Sequence, residues 1–112
     1  MIVKSPQNFR KNVRNKINII LKQPVKSTNL EIGVYNFAIK EANTRKVVKK
    51  WDNDHFVQLY VDRLRTIYNN IKNPTILKQL MDDSIAPQAL AMMSHYEMCP
   101  EKWDALITKK IE

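Results

Sequence analysis

The chain has 112 residues, enough for one domain with a modest core. Its one glycine excludes a glycine-rich phosphate loop and its one cysteine excludes an internal disulfide; no apolar run reaches the length of a membrane span or forms a signal-peptide core. A formal net charge of +8 at pH 7 suits an anionic partner: nucleic acid, an acidic protein surface or anionic membrane.

The prolines at 6, 24, 74, 87 and 100 fall between periodic segments and not inside them, which with the low glycine content points to an all-α fold. After a short start, Pro6 opens a helix expected to run to about Gln23. Phe9, Val13, Ile17, Ile20 and Leu21 form its apolar stripe, and Arg10, Lys11, Arg14, Lys16 and Lys22 decorate the rest, most simply as a solvated face. Pro24 then reads as a break. Thr28 and Glu31 have the spacing of a capping box, which predicts a second helix from about Asn29. Its stripe is Leu30, Val34, Phe37, Ala38 and Ala42, continued by Val48 and Trp51. Gly33 lies inside it, at a cost of about 1 kcal/mol against alanine; it would permit close contact with another helix, which the sequence does not show.

The segment Arg45, Lys46, Val47, Val48, Lys49, Lys50 places cations at the helix C-terminus, where the dipole favours them; it reads equally as a contact patch. Asp52, Asn53 and Asp54 break and cap the chain. The third helix is predicted from about His55 to Ile71, with Val57, Val61, Leu64, Tyr68 and Ile71 on one face. Gln58, Asp62, Arg65, Asn69 and Lys72 share another face, so Arg65 and Lys72 point the same way two turns apart. Pro74 stops this helix, and Asn73 caps a fourth that runs to about Asp82. A turn at Ser84 to Pro87 leads to a short fifth helix ending near Met92, with Met92 and Met93 as core filling. Ser94 and Glu97 form a further capping box, and Pro100 starts a last helix or linker carrying Trp103, Leu106, Ile107 and Ile111. Helices one to three are expected to form the core, with the fourth and fifth closing one end.

Catalytic and metal chemistry finds little support. Cys99, His55 and His95 are scattered and too few for a structural zinc site. A Cys99–His95 nucleophile pair has no evident orienting group. Asp82 and Asp83 are adjacent, so their carboxylates do not converge.

From Tyr60 to Met98 the chain resembles the central domain of transcription elongation factor S-II (TFIIS). The resemblance rests on Tyr60, Arg63, Arg65, Thr66, Asn70, Lys72, Asn73, Pro74, Leu77, Ile85, Pro87, Ala91, Met93, Ser94, Glu97 and Met98, in the family's order and spacing. The linker between Asn70 and Asn73 is shorter than in cellular members. The segments 42–51 and 98–103 look like the short factors encoded by large DNA viruses.

The resemblance implies a helical domain, residues 1–99, that docks on the jaw of the largest subunit of DNA-directed RNA polymerase, followed by a helix or linker start at 100–112. In the family a zinc ribbon then enters the polymerase pore and promotes cleavage of backtracked RNA. Zinc is therefore expected only in such a ribbon, whose cysteines this chain does not contain, and no other cofactor is implied. The implied polymerase-binding residues are Arg65, which holds the basic place in the third-helix motif, and Lys72, with Arg63, Lys78, Lys49 and Lys50 beside them. The domain is expected to be a non-enzymatic, intracellular module of the nucleus or a viral factory, with no membrane or small-molecule partner. The alternatives are a basic helical nucleic-acid-binding module and a similar docking domain inside a chromatin or transcription regulator.

Overall fold

A computed structural model describes residues 3–94. Five helices follow one another: α1 Pro6–Leu21, α2 Pro24–Arg45, α3 Asp54–Ile71, α4 Pro74–Met81 and α5 Pro87–Met92. Among the described residues there is no strand, and the all-α expectation holds. No described helix is long and apolar enough to cross a membrane.

The central element is α2, which packs against α1, α3 and, most extensively, α5. It starts five residues before the expected Asn29. The chain does break ahead of Pro24, with α1 ending at Leu21, but Pro24 is itself the first residue of α2, because a proline in the first turn gives up only an N–H that has no helical partner. Thr28 and Glu31 therefore lie inside the helix and form no capping box. At the other end α2 stops at Arg45, where Lys46 turns into the left-handed region at φ 58°. Val48 is left exposed. Trp51 sits outside α2, at 5.1 to 5.9 Å between ring centroids from Tyr60, Phe56, Phe9 and Tyr35. This aromatic cluster ties α1, α2 and α3 together.

Glu31 is wholly buried at the meeting point of three helices. Arg10 of α1 donates to both its carboxylate oxygens, Nε to Oε2 at 2.9 Å and Nη2 to Oε1 at 3.0 Å. Arg14, one turn later, donates Nε to Oε1 at 2.9 Å, and Tyr60 Oη of α3 donates to Oε2 at 2.8 Å. The guanidinium of Arg10 also lies over the Tyr35 ring, 4.1 Å from its centroid. Arg10 and Arg14 thus face the protein and not open solvent, contrary to the expected solvated face. Burial opposes the charge on Arg10, but the hydrogen bond and negative charge of Glu31 together raise its pKa. Burial, then the charge and hydrogen bond of Glu31, push the Tyr60 phenol far up.

The inward line of α3 is Phe56, Tyr60, Arg63, Ile67 and Ile71, with Val57 beside it. Of the expected stripe only Val57 and Ile71 are fully buried; Val61, Leu64 and Tyr68 are half-buried. The helix is apolar along two adjacent lines, and the line carrying two aromatic side chains, Phe56 and Tyr60, took the interior. Asn53 caps α3 by accepting from the backbone N–H of His55 and Phe56, and Asn73 caps α4 through Thr75. Lys26 of α2 donates to the carbonyls of Leu80 and Met81 at 2.6 and 3.1 Å, so it closes the C-terminus of α4.

The packing of α5 rests on Gly33. A Cβ built there meets the Ala91 Cβ at 2.6 Å and the Gln88 Cα at 3.0 Å. The close helix contact that Gly33 permits is present, and its partner is α5, which runs against the middle of α2 and does more than close an end. The helix expected from Pro100, the Cys99–His95 pair and the Glu97 half of the expected Ser94–Glu97 box fall on residues 95–112, outside the described ones.

Gly33→Ala is expected to destabilise the fold by about 1–3 kcal/mol in urea unfolding, since the clash is with backbone and with a short side chain that cannot rotate away. The raised Tyr60 pKa gives a pH prediction. An unfolded tyrosine ionises near pH 10, as an approximate reference value, so the stability that Tyr60 contributes is complete below that pH and is lost as pH rises above it. The urea midpoint should fall above pH 10 (approximately), and Tyr60→Phe should fall less steeply over the same range.

Candidate protein-docking face

Arg63 and Arg65 are two residues apart on α3, about 200° around the helix, so they face opposite ways. Arg63 is only 6 % exposed. Its Nε donates to the Ala91 carbonyl at 2.8 Å, its Nη2 donates to the Met93 carbonyl, and its guanidinium lies over the Phe37 ring at 4.0 Å. Burial pushes its pKa down, partly offset by Glu41. An arginine remains charged under such a shift. Arg63, implied by the resemblance as a polymerase-binding residue, ends α5 by binding its free carbonyls and leaves little surface for a partner.

Arg65 is exposed, and among the described residues it makes no salt bridge. Its stem lines a trough between α1 and α3. The floor and walls are Val13, Ile17, Leu64 and Tyr68, with Lys16 of α1 on the wall opposite Arg65. Ile19 adds a side chain that is 74 % exposed. Two adjoining recesses of about 440 and 600 Å³ share Val13, Lys16, Leu64 and Arg65. Lys72 follows α3 and is exposed, with its Nζ 4.5 Å from the Tyr68 ring centroid. Tyr68 therefore links Lys72 to the trough that Arg65 lines.

The other expected positions are separate. Lys78 is exposed on α4. Lys49 and Lys50 are exposed ahead of α3, and Lys49 donates to Asn43 Oδ1 at 2.5 Å. They stand at the opposite end of α3 from Lys72. An 18-residue helix is about 27 Å long, so one small contact does not cover both ends. Lys16 and Ile19 escaped the sequence reading. Ile19 carried the signal, as an apolar residue off the α1 stripe in a run of apolar neighbours.

Among the described residues no group of three His, Cys, Asp or Glu side chains is placed to hold a metal ion. Asp82 accepts from the Ser84 backbone N–H at 2.9 Å, and that turn, with the Ser84 hydroxyl first among the causes, holds its pKa down. The acidic pair therefore serves the turn and a contact with Lys26, which lies 3.0 Å from Asp83.

The description of the transcription factor S-II (TFIIS) central domain matches residues 5–112. The chain belongs to this family. No curated protein and no solved structure gives a significant match. As an S-II central domain, it is a helical module of a TFIIS-like transcription elongation factor. The cysteines of a zinc ribbon are not in this sequence, whose single cysteine is Cys99.

Alanine at Arg65 or Lys72 is expected to change stability by less than about 0.5 kcal/mol, as at other exposed positions. Arg63→Ala should cost roughly 3 kcal/mol, because it leaves buried carbonyls without a donor and opens space under Phe37. Denaturant unfolding of the three variants separates the two classes.

Proposed function

We propose that this S-II central domain docks on an RNA polymerase through the surface carrying Arg65 and Lys72. In a full-length factor it would anchor a zinc ribbon that stimulates cleavage of backtracked RNA. The observation that carries the reading is Arg65: exposed, without an ion pair among the described residues, and fixed beside an apolar trough on a capped helix. An arginine so placed offers a planar fork to a carboxylate of the partner. Its family supports the kind of partner. The excess positive charge supports rapid association with an acidic surface.

In this reading the domain positions and does not catalyse; the cleavage chemistry belongs to the polymerase and the ribbon. It works wherever its polymerase is, in the nucleus or, for a viral factor, in a cytoplasmic factory. Nucleic-acid binding is the weaker reading. Two of the four cations of α1, Arg10 and Arg14, are turned inward to Glu31 and are withdrawn from any phosphate-binding stripe.

The test is capture of RNA polymerase from infected or uninfected cells by the folded domain at physiological salt. Arg65→Glu should reduce capture at least tenfold, because a like charge against an acidic surface adds repulsion to the lost pair, while Lys11→Glu on the far side of α1 should have a small effect. Absence of capture by the folded wild type would sink the docking reading.

A further inference from the structure

The trough between α1 and α3 has a particular pattern. Its floor is apolar, from Val13, Ile17 and Leu64. A cation stands on each wall, Lys16 on α1 and Arg65 on α3, and neither makes a salt bridge among the described residues. Among the described residues no acidic side chain lines either recess. From Phe9 at one end to Ile19 at the other, the α1 wall rises about 15 Å, close to three turns of helix. Ile19 remains 74 % exposed at the rim.

We propose that this trough receives an acidic amphipathic helix of the partner, its apolar stripe on the floor and its carboxylates against Lys16 and Arg65. A stripe of apolar residues flanked by acids on both sides is the complement of an apolar floor flanked by cations on both sides. Recesses of about 440 and 600 Å³ have room for side chains of leucine or phenylalanine size. Nucleic acid fits less well. Phosphates gain nothing from an apolar floor, and neither aromatic lining the trough is open for stacking on a base: Tyr68 has Lys72 lying 4.5 Å from its centroid, and Phe9 packs on Trp51 and Tyr60. The inference rests on the docking reading only in assigning the helix to the polymerase.

Ile19 separates the trough from a plain charge patch. Its exposure means that Ile19→Lys leaves the fold intact, adds a positive charge and removes an apolar contact. The probe is a synthetic peptide of about fourteen residues, rich in Glu and Asp with Leu at helical spacing, beside a second peptide in which Ser replaces every Leu. The labelled domain is titrated with each peptide and followed by NMR.

The expected result is a set of shifts at Val13, Lys16, Leu64 and Tyr68 with the first peptide, at least tenfold weaker binding of the second, and at least tenfold weaker binding of the first by Ile19→Lys. Equal binding of both peptides, or unchanged or tighter binding by Ile19→Lys, would overturn the proposal and leave a charge patch. Displacement of the first peptide by a short RNA duplex that shifts the same residues would overturn it in favour of nucleic acid. Polymerase capture with Arg65→Glu, run in parallel, keeps the two ideas apart. Capture that depends on Arg65 without peptide binding removes the trough alone, whereas peptide binding in the trough without capture removes the polymerase assignment alone.

Discussion

A buried carboxylate holds the fold together. Glu31 lies on the central helix with no exposed surface, and a lone ionised acid in that place would be expensive. It is tolerated because four hydrogen bonds from Arg10, Arg14 and Tyr60 converge on its two oxygens. Those donors come from α1 and α3, so satisfying one acid fixes the azimuth of both neighbouring helices about α2. The rotation of α1 decides which of its residues face α3. With Arg10 and Arg14 turned toward Glu31, Lys16 and Ile19 are left at the rim between the two helices. The docking face is in this sense a by-product of how the core acid is satisfied.

The second constraint is the approach of α5 to α2. Gly33 removes the Cβ that would collide with Ala91, and Arg63 binds the carbonyls at the end of α5. A helix of six residues does not stand alone in water. Here it is held from below by the absent side chain and from its end by a guanidinium. The same α3 therefore carries one arginine that builds the fold and, two residues on, another that is available to a partner.

Much of this was legible in the sequence. The prolines and asparagines marked α1, α3, α4 and α5 within a residue or two, because caps and proline sterics are local effects that the sequence displays directly. Gly33 left room for a close contact without showing one, because its partner lies at Ala91, far along the chain. What misled were patterns with two physical meanings. Thr28 and Glu31 have capping-box spacing, but Pro24 is equally good as the first residue of a helix, and Glu31 was wanted inside for its long-range partners. The two apolar lines of α3 are equivalent by periodicity, and only the bulk of Phe56 and Tyr60 decides between them. For the same reason Arg63 and Arg65 were alike in the sequence. Nothing local distinguishes an arginine that will meet a carbonyl twenty-eight residues away from one that will meet solvent.

The charge of the chain illustrates why a net value says little about a site. Of the cations in the described helices, Arg10 and Arg14 neutralise Glu31, Lys26 closes α4 beside Asp83, Arg45 pairs with Glu41 and Arg63 is held by carbonyls. Each of these has a role within the molecule, and the surface field is carried by the rest. Lys16 and Arg65 differ from the other remaining cations in standing on either side of apolar surface, where water is partly excluded and a charge pair gains strength. Lys49 and Lys50, though adjacent and exposed, have Val48 beside them but do not line the trough between α1 and α3. A positive charge attracts any anion; a positive charge at the edge of an apolar recess selects anions that also bring something to bury. That added requirement is what distinguishes a site for a protein partner from a general affinity for polyanions.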